Sequence, residues 1–117
     1  MKKRIRTADK NKGVRGYAKQ PNGPWKEVII SGYQDIQKVI GGYFQIVPIA
    51  EKFTLYCDEE GKLKELEPNL IWMDTDRTMI DILVGPILLL GPVDREGNDT
   101  NATPEMLDLL KRHCSEV

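Results

Sequence analysis

The chain has 117 residues, 40% of them hydrophobic and 30% charged, with a formal net charge of −1. That length supports one core and excludes a multidomain machine, and the composition is that of a globular domain rather than a disordered chain. The most apolar stretch, Met79 to Leu90, is interrupted by Asp81, Gly85 and Pro86 and is too short to span a bilayer, so no membrane role is expected. Met1 to Arg6 is basic but no apolar signal segment follows it, so the expected location is the cytoplasm, with Cys57 and Cys114 as reduced thiols. The near-neutral total hides an asymmetry. Lys2, Lys3, Arg4, Arg6, Lys10, Lys12 and Arg15 face only Asp9 within residues 1–16, a charge of +6, which leaves −7 on residues 17–117. Residues 1–13 read as a basic arm and residues 14–117 as a single domain.

In chain order, Val14 to Ala18 is a candidate strand, Pro21-Asn22-Gly23-Pro24 a turn, and Trp25 to Ile30 a second strand, which together predict a hairpin held at a sheet edge by its prolines. Trp25, Val28 and Ile30 are its expected core residues. Ser31 is the expected N-cap of a short helix over about residues 32–40, whose Tyr33, Ile36, Val39 and Ile40 share a face before Gly41-Gly42 ends it. Tyr43–Ile49 and Phe53–Cys57 predict a second hairpin connected through Pro48-Ile49-Ala50-Glu51-Lys52, after which Asp58-Glu59-Glu60-Gly61 turns the chain. Residues 62–69 read as irregular, since Pro68-Asn69 interrupts the helical spacing of Leu63 and Leu66. Leu70 to Met73 is short and apolar. Met79 to Leu90 is the main buried segment, and Gly85-Pro86 makes it either two strands or one bent strand. Thr103-Pro104-Glu105 opens a C-terminal helix as cap, first-turn proline and acid at the positive dipole end, with Met106, Leu107, Leu110 and Cys114 as its inward face. The expected fold is α+β: a small, mostly antiparallel sheet with one short internal helix and one C-terminal helix.

The order Gly41-Gly42-Tyr43, Asp58-Glu59-Glu60-Gly61-Lys62-Leu63, Pro68-Asn69, Asp81-Ile82-Leu83-Val84-Gly85 resembles a small family of uncharacterised domains found in phage, prophage and gut-metagenome sequences. The resemblance covers about residues 14–113. It implies an accessory protein of a phage or mobile element and assigns no reaction.

An inventory of reactive groups argues against an enzyme. The single histidine, His113, falls in the last turn of the C-terminal helix, where a cation suits the dipole. Cys57 precedes three acids, which disfavour its thiolate. Asp74, Asp76 and Asp81 match no calcium loop, and Gly41-Gly42 follows a helix instead of opening one, so neither a metal nor a cofactor is expected. Convergence of Asp58, Glu59, Glu60 and Asp81 would be the route to a carboxylate hydrolase.

Binding fits the residue types better. Tyr43 and Trp72 supply stacking faces, Lys62 and Arg77 supply cations, and Asn69 and Asp81 supply hydrogen bonds to base edges or ribose hydroxyls. These six residues are the candidate ligand site of a non-enzymatic protein that binds, and sequesters, a host nucleotide or nucleotide-derived signal. A homo-oligomer is expected to complete the pocket, with exposed strand edges and the Ile87–Leu90 segment as its interface material. Two alternatives stand beside it. One is a nucleic-acid-binding module using Lys2, Lys3, Arg4 and Arg6 as an electrostatic arm, and the other is an interaction protein that inhibits a host factor through its acidic body.

Overall fold

The computed structural model describes residues 13–117. Within these residues, eight strands and two helices follow one another as β1 (Val14–Lys19), β2 (Trp25–Ile30), α1 (Tyr33–Ile40), β3 (Phe44–Val47), β4 (Thr54–Asp58), β5 (Pro68–Met73), β6 (Met79–Val84), β7 (Ile87–Leu90), α2 (Pro104–His113) and β8 (Cys114–Glu116). The strands form a five-stranded sheet in the order β2-β1-β7-β4-β3 and a three-stranded sheet in the order β6-β5-β8. Every pairing is antiparallel, so the α+β class holds, with the strands shared between two sheets.

The first hairpin forms as its sequence predicts. Val14 pairs with Ile30 and Lys19 with Trp25, around a turn in which Asn22 takes a left-handed φ of 64°, a conformation asparagine tolerates better than most residues. Ile30 is buried, while Val28 and Trp25 pack at the margins of the two core clusters. The second hairpin pairs Phe44 with Asp58 and Val47 with Leu55.

Met79–Leu90 is two strands in two different sheets. Gly85, at φ 77°, and Pro86 turn the chain from β6 in one sheet into β7 at the centre of the other. Ile87 and Leu89 face a core shared with Leu55, Leu70, Leu83 and Leu110. Leu88 and Leu90 face the opposite side, where Ile36 and Ile40 of α1 cover the sheet. All four β7 side chains are 0% exposed, which explains an unbroken apolar run in an antiparallel strand: both of its faces are covered. This corrects the expectation that Ile87–Leu90 supplies an interface, since the strand has no face or edge left to offer.

Two local expectations are also corrected. Gly32, not Ser31, is the N-cap of α1, and Ser31 instead donates its backbone N–H to the Asp35 carboxylate at 2.8 Å. Cys114 does not belong to α2, because the chain turns extended there and pairs with Trp72 as the first residue of β8. Other signals act as expected. Gly41 closes α1 in the left-handed conformation at φ 92°, and the Thr103 hydroxyl accepts the Met106 N–H at 3.2 Å, with Pro104 in the first turn. Among the described residues no helix is long and apolar enough to cross a membrane.

Candidate functional site

The five-stranded sheet ends in β3, and the three-stranded sheet ends in β6. Where these margins meet, a cleft of about 130 Å³ opens, lined among others by Gln45 of β3, Cys57 and Asp58 of β4, Glu59 and Lys62 of the following turn, and Asp81 of β6. Strand register puts these groups together. Gln45 pairs with Cys57, so both side chains project from one face, and Gln45 Nε2 donates to Cys57 Sγ at 3.6 Å. Asp81 is the cross-strand partner of Trp72 on β5.

The charges in the cleft are largely engaged. Lys62 Nζ lies 2.5 Å from Asp81 Oδ1, which also accepts the Ile82 N–H at 2.8 Å. The hydrogen bond from Lys62 holds the Asp81 carboxyl below its ordinary range. Asp58 is buried, its Oδ1 accepting the Glu60 N–H and its Oδ2 accepting Lys64 Nζ, each at 2.8 Å. The bond to Asp58 in turn raises the Lys64 ammonium. Burial pushes the Cys57 thiol up, against the opposing effect of the Gln45 amide, which leaves it protonated at neutral pH.

The six predicted ligand residues therefore divide. Lys62 and Asp81 line the cleft together. Tyr43 is 70% exposed, and its carbonyl accepts the N–H of Glu59, which places it beside a lining residue. Trp72 packs its ring against the core. Arg77 sits in the tight β5–β6 turn at φ 67°, its N–H bonded to the Asp74 carbonyl, and it does not line the cleft. Asn69 is 1% exposed and fully committed inside the protein: it donates to the carbonyls of Lys19 and Gly85 and accepts Lys19 Nζ at 2.6 Å. Of the four carboxylates considered for hydrolysis, Asp58, Glu59 and Asp81 share the cleft and Glu60 does not line it. Gln45 was missed by sequence reasoning. The signal for it was the β3–β4 register, which follows once the hairpin is accepted.

Lys2, Lys3, Arg4 and Arg6 lie outside the described residues. His113 ends α2 next to Lys111 and Arg112, three cationic residue types at the negative end of the helix dipole. Among the described residues no three His, Cys, Asp or Glu side chains are grouped so as to hold a metal ion.

Several buried groups shift in one direction. Burial pushes the Cys114 thiol up to about 12, and burial together with the neighbouring Asp99 carboxylate raises the Tyr56 hydroxyl. The unfolded chain releases these protons at lower pH than the folded one, with thiols ionising at about 8.5. The folded state then binds more protons, so stability falls as pH rises above about 8.5 and continues falling toward about 12. Urea midpoints measured across that range are expected to drop progressively, and the slope is expected to flatten in Cys114→Ala. A midpoint that stays level would contradict the burial of these groups.

No curated protein and no solved structure matches the chain. A family model described as a domain of unknown function (DUF3846) matches residues 14–115, and the chain belongs to that family.

Proposed function

We propose that the protein is a non-enzymatic binding protein that captures, and by capture sequesters, a small nucleotide-derived ligand of a host cell, as an accessory protein of a phage or mobile element. The observation that carries the reading is the Lys62–Asp81 pair in the wall of the cleft, which sets an ammonium donor beside a carboxylate acceptor, with the Gln45 amide among the other lining groups. Such a set can read a hydrogen-bonding edge that carries both donors and acceptors, as nucleobases do.

Size and charge decide which end of the ligand enters. A cleft of about 130 Å³ is smaller than the roughly 300–1,000 Å³ that takes up a whole small molecule. Only part of the ligand is held inside, and the rest lies along the rim, where Tyr43 and Leu63 expose 70% and 85% of their surfaces. Asp58, Glu59 and Asp81 outnumber Lys62 among the lining charges, which disfavours a phosphate and favours the base or ribose end. The states of the reactive groups support binding over catalysis. Asp81 is held ionised, Asp58 has both oxygens occupied as acceptors, and the Cys57 thiol is raised away from the nucleophilic form.

The test is calorimetry of the full chain against nucleosides and mono-, di- and cyclic nucleotides, with mass spectrometry of whatever the protein retains. Lys62→Ala and Asp81→Asn are each expected to weaken binding by about 5- to 150-fold, the equivalent of about 1–3 kcal/mol for a hydrogen bond to a charged group. Recovery of altered nucleotide would overturn the non-enzymatic reading. Absence of any retained nucleotide would overturn the ligand class. Retention that is lost when residues 1–12 are removed would instead favour the basic arm as the binding element.

A further inference from the structure

The geometry points to a second working surface, independent of the cleft: two copies of the chain associate through α2, packed antiparallel about a two-fold axis near Leu109. A groove of about 440 Å³ runs between α2 and the β3–β4 connection, lined by Lys52, Glu105, Met106, Asp108, Leu109 and Arg112. Glu105, Asp108, Leu109 and Arg112 follow the i, i+3, i+4, i+7 spacing of a single helix face. The ends of the stripe carry opposite charge, with Glu105 and Asp108 in the N-terminal half and Arg112 in the C-terminal half, while Met106 and Leu109 stay half-buried between them.

That arrangement selects a second copy of the same surface, and selects its orientation. An antiparallel pairing places each acidic half against the partner copy's cationic half, with the apolar residues meeting at the axis. A parallel pairing would stack like charges and is repelled. Lys52, across the groove, adds a second cation to each contact. A helix of ten residues is only about 15 Å long, so the interface is at the small end for specific association and is expected to be weak, concentration-dependent and weakened by salt.

Sedimentation equilibrium of the full chain, at low and high salt, is the measurement. All four charged residues are exposed, so their reversal is expected to leave the chain folded, with the urea midpoint lowered only slightly because Glu105 and Arg112 also sit at the favourable ends of the α2 dipole. One variant carries Glu105→Lys with Asp108→Lys, and the other carries Lys52→Glu with Arg112→Glu. Each alone is expected to dimerise at least tenfold more weakly than the native chain, and an equimolar mixture of the two is expected to restore association as a heterodimer. A native chain that remains monomeric at several hundred micromolar would overturn the proposal. So would variants that dimerise like the native chain, which would move the contact to a strand edge, or a mixture that fails to associate.

Discussion

Asn69→Leu is expected to destabilise the protein by about 3–5 kcal/mol, out of proportion to an exchange between two side chains branched in the same way at Cγ. The reason is the lysine it serves. Lys19 is buried in its entirety, its side chain 1% exposed, and its ammonium donates to Asn69 Oδ1 at 2.6 Å. Among the described residues, the other oxygens near it are the Gln20 carbonyl at 3.4 Å and the Glu116 carboxylate at 3.9 Å, both longer than a strong charged hydrogen bond. Removing the asparagine leaves a buried cation without its main partner, which typically costs about 3–5 kcal/mol. It also leaves the carbonyls of Lys19 and Gly85 without the amide protons that Asn69 supplies. These bonds join β1 of the five-stranded sheet to β5 of the three-stranded one and to the Gly85 crossover between them. The control is Lys19→Met combined with Asn69→Leu, which removes the cation along with its partner and is expected to recover most of the loss. Urea unfolding at pH 7 reads both variants, and an Asn69→Leu cost under about 1 kcal/mol would show that the polar bridge does not hold the sheets together.

The difference between what could and could not be read from the sequence follows the range of the forces involved. Pro21–Pro24, Gly41 and Thr103-Pro104 act on the backbone within a few residues of themselves, so the first hairpin, the end of α1 and the start of α2 are legible directly. β8 is different. Cys114–Glu116 has no strand pattern of its own, and it becomes a strand only because β5 offers an edge to pair with. Gly85-Pro86 announced a break but not its size, since a change of sheet and a bend within one strand use the same residues. The site follows the same division. Lys62 and Asp81 are nineteen positions apart, and their residue types and flanking turns marked them as candidates without marking their contact. Asn69 carried the same kind of signal, a polar residue after a proline, and the fold spends it on Lys19, a residue no local pattern singles out. Residue type identifies groups able to hydrogen-bond a ligand, whereas register and sheet packing decide which of them still face solvent.

Leu89→Ala is expected to cost about 3–5 kcal/mol and Leu88→Ala about 2–3 kcal/mol, both within the range for truncating a buried leucine. The two residues are adjacent and equally buried, at 0% exposure, so the ranking comes from what each one touches. Leu89 lies between Tyr17 and Leu55 across the ladder and faces the core shared by both sheets and α2. That layer is bounded by paired strands and pinned by the Lys19–Asn69 bridge, so it cannot settle into the space left by three lost carbons, and the cavity persists. Leu88 faces α1, a helix of eight residues, which can shift toward the sheet and recover part of the lost contact. Urea midpoints of the two variants give the order directly. Equal costs would mean that α1 is as rigidly seated as the second sheet, and a Leu89 cost near 1 kcal/mol would mean that the layer between the sheets collapses freely, against the placement of β7 as the strand around which both core clusters are built.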